Sequence, residues 1–333
     1  MKRLLRLAVR AVGIVLLLVG VLSGALWWYL HPTVTVTRDI VYGQRHGKNL
    51  VLHVMRPEHP SGRCILVMIS GRWKSQPENF QPWLIAPLLR QGQTIIAVGH
   101  LSQPEVSVME TVDDVKRAVR FTRLHAADFG IDPQRMGITG GSSGGHLSLM
   151  LATCGGPGDP ASPDPVERES CAVQAAAVFF PVTDLIELGP STENLHDGGP
   201  PKSFRNAFGP KGTDLVEWQK IGHAMSPIDH ITPALPPIFI IHGGADTLVP
   251  LDQSERFKKR AAEQGHAVEL IVRPGEKHGW LTILWDVRLF AQWFRKPCEG
   301  GFAQVLSFQR ATTALLRSPL LAPLSAAQPR PRL

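Results

Sequence analysis

The feature that most constrains the fold is a set of short, continuous apolar runs separated by longer segments with helical spacing. The runs include CILVMI at 64–69, TIIAV at 94–98 and IFII at 238–241. Uninterrupted apolar runs of this length are typical of strands buried on both faces, as in parallel sheets. The segment 112–129 has apolar residues at helical spacing among Arg and Lys, which predicts an amphipathic helix. This alternation predicts an α/β fold with a mostly parallel central sheet and helices on both faces.

Weaker patterns fill in the remaining elements. Strands are predicted at 33–41, 49–55, 136–139, 173–180 and 268–272, and helices at 80–89, 146–153, 252–264 and 281–295. Strict alternation in the first strand, TVTVTRDIV, predicts an exposed edge. The stretch 190–212 is rich in Gly and Pro and interrupts the pattern. A loop of that length is either a functional lid or a variable surface loop, and both interpretations stay open.

The N-terminal segment predicts the cellular location of the protein. Residues 11–30 carry no charge, and twenty such residues span about 30 Å as a helix, enough to cross a bilayer core. Basic residues before the run predict that the N-terminus stays in the cytoplasm and the rest lies outside, periplasmic or extracellular. An uncleaved membrane anchor is favoured over a signal peptide cleaved near 23–25, which would release the protein. We therefore expect an anchor at 1–31, a catalytic domain at 32–298 and a partly disordered extension at 299–333.

Charge and cysteine content limit the classes of partner and cofactor. The net charge of +7 comes largely from the basic ends of the chain, so no nucleic-acid partner is expected. Outside the cytoplasm, the four cysteines can form disulfides. A bridge between Cys154 and Cys171 is one interpretation, and four unpaired thiols are the other. Since no Cys/His ligand spacing occurs, a structural zinc is not expected. The hydrolytic mechanism that the motifs below predict requires neither a metal nor an organic cofactor.

A glycine-rich turn, TGGSSGGH at 139–146, lies between a predicted strand and an apolar helix. A nucleophile elbow has this context, because its sharp turn tolerates only small residues two before and two after the serine. Gly140 and Gly144 fill these places around Ser142. The motif is also satisfied in the next register, with Ser143 as the nucleophile, although Ser142 is favoured. A glycine-rich phosphate loop is disfavoured because it lacks the GK[ST] lysine.

Two further residues complete a candidate catalytic triad. Asp246 follows the buried strand 238–241, and His278 follows the strand 268–272. The chain order serine, acid, histidine is that of the α/β hydrolases, and all three residues stand at the carboxyl ends of strands. We expect His278 to act as general base on Ser142 and Asp246 to orient the histidine.

These motifs together resemble the α/β-hydrolase superfamily over about residues 35–296. Besides the turn at 140–147, the similar segments are DPQRMG at 132–137, FPVTDL at 180–185, HGGADTLVP at 242–250 and His278-Gly279. The branch that the chain resembles is that of feruloyl-esterase-like and hormone-sensitive-lipase-like esterases, near the prolyl oligopeptidase catalytic domain. The resemblance implies a three-layer α/β-hydrolase sandwich and hydrolysis of carboxylic esters.

The chain departs from this branch after its third strand, where the usual HGGGW is replaced by ISGRW at 69–73. The resemblance implies that backbone N–H groups of Gly71 or Arg72, together with Ser143, form the oxyanion hole. Arg72 and Trp73 are expected to line the substrate pocket.

Three alternatives to an esterase remain open. A serine peptidase would use the same mechanism on an amide. A non-catalytic, membrane-tethered binding protein would explain the altered loop at 69–73. A lipid-surface interaction protein would use the anchor and the loop at 190–212.

Overall fold

The computed structural model describes residues 2–295 of the 333-residue chain. The expected extension at 299–333 and Cys298 lie outside the described residues. The strands are β1 (Val34–Arg45), β2 (Lys48–Pro57), β3 (Cys64–Met68), β4 (Thr94–Val98), β5 (Met136–Gly141), β6 (Ala175–Phe179), β7 (Ile238–Gly243) and β8 (Val268–Arg273). The α-helices are α1 (Lys2–Leu30), α2 (Ala86–Arg90), α3 (Val108–Leu124), α4 (Ala126–Phe129), α5 (Ser143–Cys154), α6 (Pro165–Arg168), α7 (Leu215–Ala224), α8 (Leu251–Glu263) and α9 (Ile283–Trp293).

The eight strands form one sheet in the order β1-β2-β4-β3-β5-β6-β7-β8. β1 and β2 pair antiparallel, as do β2 and β4, and every later pairing is parallel. The predicted mostly parallel sheet, with 33–41 in an edge strand, is therefore confirmed. In this arrangement the carboxyl ends of β5, β7 and β8 lie at one edge of the sheet, where ligands bind in open α/β folds.

Alternate side chains of the central strands build two cores, one on each face of the sheet. On one face Leu66 and Ile138 pack with residues of α3, α5 and α8. On the other face Ile65 and Val67 pack with residues of α2 and α9. Both faces of each central strand are apolar because both are covered, and the three-layer sandwich follows.

Two predicted helices have different bounds in the structure. The helix predicted at 112–129 begins at Val108, because Ser107 and Glu110 form a capping box, and it is interrupted at His125 before α4. The helix predicted at 80–89 is instead a 3₁₀ helix, Pro82–Ile85, followed by the short α2. A proline stands at the start of each piece, where its missing N–H costs nothing.

The N-terminal apolar segment is one continuous helix, α1, whose apolar side chains are exposed. Among the described residues α1 alone is long and apolar enough to cross a membrane, a property it would share with a signal sequence. Its last turn contacts α2 through Arg90, whose Nε donates to the Tyr29 carbonyl at 3.0 Å. The Arg90 guanidinium also lies 4.0 Å from the centre of the Trp28 ring.

Candidate active site

Ser142 occupies the sharp turn between β5 and α5. Its backbone has φ 55° and ψ −121°, a conformation that costs about 1–3 kcal/mol for a residue with a side chain. A Cβ on Gly140 would lie 2.5 Å from the Gly144 carbonyl, and one on Gly144 would lie 2.6 Å from the Met68 carbonyl oxygen. The turn therefore requires glycine at both places, and it lifts Ser142 to the N-terminus of α5.

Hydrogen bonds connect the three predicted triad residues. Ser142 Oγ lies 2.9 Å from His278 Nε2, and His278 Nδ1 lies 2.7 Å from Asp246 Oδ2. Ser143, the other candidate nucleophile, is buried and its Oγ faces the loop at 69–74 instead. The geometry thus brings Ser142, and not Ser143, within reach of a histidine base.

Asp246 is held as a carboxylate. Its Oδ1 accepts hydrogen bonds from the N–H groups of Leu248 at 2.9 Å and Val249 at 3.0 Å. Burial raises the pKa of Asp246, but His242, His278 and the Val249 N–H outweigh it and lower the pKa to about 2. The ionised carboxylate can fix the orientation of His278 and stabilise its imidazolium form.

Sequence reasoning missed Phe180 as part of the site. Its ring centre lies 4.6 Å from that of His278, and its φ is 32°. Phe180 directly follows β6, so its position at a strand end was the available signal. His242, the first residue of the segment HGGADTLVP, is fully buried, and its Nε2 lies 2.8 Å from the Val249 carbonyl but 3.6 Å from Asp246 Oδ2. His242 therefore stabilises the loop after β7.

The loop at 69–74 has an unusual backbone. Arg72 and Trp73 both have left-handed φ values, 57° and 53°. The Trp73 N–H donates to Ser143 Oγ at 3.0 Å, and Ser70 Oγ lies 3.1 Å from the same oxygen. The side chain of Ser143 thus fastens this loop to the first residue of α5.

The hydrogen bonds of this loop decide which of two backbone N–H groups, that of Gly71 or that of Arg72, is free to bind an oxyanion. The Gly71 N–H donates to the Lys74 carbonyl at 2.9 Å, so it is already used. Within residues 2–295, neither the Arg72 N–H nor the Ser143 N–H has a protein acceptor. These two N–H groups are therefore the ones left for an oxyanion.

A largely apolar cleft opens beside Ser142, and both Arg72 and Trp73 line it. Further lining side chains are Val182, Leu188, Ser191, Glu193, Pro201, Phe204 and Leu248. Four of these belong to the long insertion at 190–212, which also forms the 3₁₀ helices Lys202–Phe208 and Pro210–Thr213. The insertion therefore forms one wall of the cleft.

Trp73 is fixed in this wall by His146. The Trp73 Nε1–H donates to His146 Nδ1 at 3.2 Å, and His146 Nε2 donates to the Met225 carbonyl at 2.7 Å. Burial lowers the pKa of His146 to about 4, so the ring is neutral and can make both bonds. The Trp73 ring also meets that of Phe204 edge-on at 5.3 Å.

The structure does not contain the disulfide considered between Cys154 and Cys171, and both thiols are free. Cys171 Sγ faces the backbone of Gly156, at 3.5 Å from its nitrogen, whereas Cys154 lies next to His230. The two side chains thus point to different neighbours.

No group of three His, Cys, Asp or Glu side chains suited to a metal occurs in the described part of the chain.

Residues 52–261 match the BD-FAE family. The chain belongs to this family, and its fold is that of the α/β hydrolases. Esterase LipQ of Mycobacterium tuberculosis is 32% identical over 69% of this chain and 54% of LipQ. Ethyl acetate hydrolase of Pseudomonas putida is 25% identical over 74% of this chain and 76% of that protein. The chain spans about half the length of LipQ and of a second relative from the same organism, named probable carboxylic ester hydrolase LipM.

Solved structures give the same fold. A truncated carbohydrate esterase from gut microbiota superimposes with a TM-score of 0.65 at 26% identity, covering 78% of this chain and 96% of that one. A propionate-bound esterase of Thermogutta terrifontis gives a TM-score of 0.62 at 27% identity, covering 79% of this chain and 93% of that one. These likenesses confirm the predicted α/β-hydrolase sandwich and the predicted resemblance to esterases.

Proposed function

We propose that this protein is a serine hydrolase that cleaves carboxylic esters through Ser142, His278 and Asp246. The observation that carries the proposal is the continuous hydrogen-bond relay from Ser142 Oγ through His278 to the Asp246 carboxylate. A serine becomes nucleophilic when a neighbouring base removes its proton, and the base works when a third group fixes its tautomer. The esterase names of several relatives support the same reaction.

The reaction runs in two halves. Ser142 Oγ attacks the ester carbonyl while His278 Nε2 takes the hydroxyl proton, and the carbonyl oxygen becomes an oxyanion between the N–H groups of Arg72 and Ser143. His278 then returns the proton to the leaving alkoxide as the carbon–oxygen bond breaks, which leaves an acyl-enzyme on Ser142. Water, deprotonated by His278, attacks the acyl carbonyl, and the same proton goes back to Ser142 as the acid leaves.

The location of the enzyme belongs to the same proposal. We infer that α1 is an uncleaved anchor for residues 1–31 and that the catalytic domain, 32–298, lies outside the cytoplasm. The support is the exposed apolar surface of α1 and the basic residues that precede its uncharged stretch. Protease digestion of intact cells expressing the full chain would remove the domain if it lies outside.

A fluorophosphonate probe tests the catalytic proposal. Thermogutta terrifontis esterase 2 has been crystallised phosphorylated by paraoxon, so organophosphorus probes suit this fold. We expect peptide mapping of the labelled full chain to find the mass shift on Ser142. Ser142→Ala should abolish labelling, whereas Ser143→Ala should still label, more slowly. Absence of label on a folded wild-type chain would refute the proposal and would favour the non-catalytic binding protein.

A further inference from the structure

A second cavity borders the nucleophile turn, with Gly140 and Gly141 in its wall. It has a volume of about 270 Å³ and lies between the sheet and the elements that cover it on the α9 side. Its apolar lining includes Phe80, Ile85, Leu88, Phe179, Val287 and Phe290. We call it the α9 cavity. It shares no lining residue with the cleft among the described residues.

The α9 cavity borders the nucleophile turn and the loop at 69–74. Its wall includes Gly141, which directly precedes Ser142, and Ser70, which lies in the loop that carries the Arg72 N–H. The cleft borders the same turn through Ser142 itself. An ester has two arms at its carbonyl carbon, an acyl chain and an alcohol, and each of these two spaces borders the turn that carries Ser142.

Resting on the function proposed above, we propose that the α9 cavity is the acyl subsite and that it holds the medium-length acyl chain of a membrane lipid ester. An apolar cavity of about 150 Å³ stays dry and binds benzene, so a larger apolar cavity favours hydrocarbon over water. At about 270 Å³ the α9 cavity is larger than that benzene site, so it has room for an acyl chain of more than the six carbons of benzene. The alcohol part then occupies the cleft, next to Arg72 and Glu193.

The anchor proposed for α1 points to the bilayer as the source of that chain. The roof of the cavity includes Ile85, which ends the 3₁₀ helix Pro82–Ile85, and Leu88 of α2. α1 ends against these elements, where Arg90 of α2 binds the Trp28 and Tyr29 carbonyls. If α1 crosses a membrane, the roof lies at the membrane surface.

The surface beside this roof carries exposed apolar side chains. Trp83 and Trp285 are 38% and 42% exposed, and Leu281 is 96% exposed. Trp83 belongs to the 3₁₀ helix of the roof, and Trp285 to the first turn of α9. Tryptophan is favoured at membrane–water interfaces, where its apolar ring meets lipid. A lipid chain would have a short apolar path from the bilayer to the cavity.

The acyl-length profile of the full-length enzyme tests the subsite. The readout is the ratio of kcat/KM for p-nitrophenyl octanoate to that for the acetate, which cancels losses common to both. We expect Val287→Phe, which fills the α9 cavity, to lower this ratio at least about tenfold. Val216→Phe makes the same exchange on the exposed face of α7 and should leave the ratio unchanged.

Other results would refute the assignment of the α9 cavity as the acyl subsite. If Leu188→Phe, which narrows the cleft, lowers the ratio and Val287→Phe does not, the acyl chain lies in the cleft. If Val287→Phe fails to fold, Leu88→Ala enlarges the same cavity and should shift the preferred acyl length upward, and an unshifted profile would refute the assignment. No hydrolysis of the acetate by the wild type would instead be a failure of the esterase proposal itself.

A second measurement tests whether the acyl chain of the substrate comes from the bilayer. The substrate is dioctanoylglycerol in phosphatidylcholine vesicles, compared with soluble p-nitrophenyl octanoate. The double variant Trp83→Ser, Trp285→Ser should lower the ratio of vesicle to soluble activity about tenfold, because it removes apolar contacts with lipid. An unchanged ratio would show that the acyl chain does not come from the bilayer, and a soluble ester would then be the substrate.

Discussion

Two loops build the proposed catalytic centre, and they differ in how they are stabilised. The acid loop after β7 satisfies its own polar groups: Asp246 accepts two backbone N–H groups, and the buried His242 bonds to the Val249 carbonyl. The loop at 69–74 has two residues with left-handed φ and is fastened to α5 through Ser143 Oγ. The first loop holds a charge in place, and the second holds a backbone N–H in place.

The difference shows where each loop is vulnerable. Without its carboxylate the acid loop still has the bond from His242 to the Val249 carbonyl, so a change of Asp246 should affect chemistry more than folding. Two side chains tie the loop at 69–74 to the nucleophile helix, His146 through the Trp73 ring and Ser143 through the Trp73 backbone N–H, so only Ser143 fixes the backbone of the loop. A change there should loosen the oxyanion donors without altering the triad.

The largest expected effect is that of Asp246→Asn. The amide keeps the size of the side chain but can no longer orient and stabilise the His278 imidazolium, so we expect kcat for an ester to fall about 10³–10⁴-fold. Steady-state kinetics on p-nitrophenyl acetate would measure it. Asp252→Asn in α8 makes the same charge change beyond the triad and should keep kcat within about twofold. A loss in Asp246→Asn below tenfold would show that this carboxylate does not orient the base.

The contrast between the acid loop and the loop at 69–74 also explains which parts of the structure could be predicted from the sequence. The fold was predictable because buried strands must be apolar on both sides, and β3, β4 and β7 are uninterrupted apolar runs. The three candidate catalytic residues were predictable because each stands in a local motif at a strand end, and the structure places them within hydrogen-bonding distance.

The loop at 69–74 was not predictable in the same way. Its conformation depends on Ser143 Oγ and on the His146–Trp73 bond, both more than 60 residues away in the chain. The sequence left Gly71 and Arg72 as equal donors, and only the bond from the Gly71 N–H to Lys74 distinguishes them. The free Cys154 and Cys171 were likewise undecided, since spacing alone does not give the direction of a thiol.

The second prediction concerns the hydrogen bond that connects the loop at 69–74 to α5, from the Trp73 N–H to Ser143 Oγ. Ser143→Ala removes the acceptor of the Trp73 N–H and leaves that donor buried without a partner, which costs about 1–3 kcal/mol. Because the Arg72 N–H then loses its fixed position, we expect kcat to fall about 10–100-fold while KM changes little.

Ser70→Ala is the matched control for this tie. It removes the neighbouring hydroxyl but keeps the bond between Ser143 Oγ and Trp73. Its loss in kcat should be smaller than that of Ser143→Ala. An equal loss in both variants would mean that the hydroxyl pair, rather than the bond to Trp73, positions the loop.

The third prediction concerns the pH dependence of stability. The pKa of Asp246 is lowered from 3.8 to about 2 in the folded protein. A lowered carboxyl pKa stabilises the fold above its unfolded value, and the contribution of about 2 kcal/mol is lost as the pH falls from about 4 to 2. We expect the free energy of unfolding of the wild type to exceed that of Asp246→Asn at pH 6 and to converge with it near pH 2. A constant difference across this range would contradict the assignment.

The smallest expected effect tests the backbone of the second loop. Arg72 has φ 57°, which costs about 1 kcal/mol for a residue with a Cβ and nothing for glycine. Arg72→Gly should therefore not destabilise the protein, and in urea unfolding it should gain up to about 1 kcal/mol, reduced by the greater freedom of the unfolded chain. Since the proposed oxyanion donor is the N–H and not the guanidinium, kcat for a neutral ester should stay within about threefold. Arg72→Ala keeps the strained backbone but removes the same charge, so it should be no more stable than the wild type. If both variants lose kcat equally and strongly, the guanidinium itself touches the substrate, and the loop at 69–74 then acts through a side chain as the acid loop does.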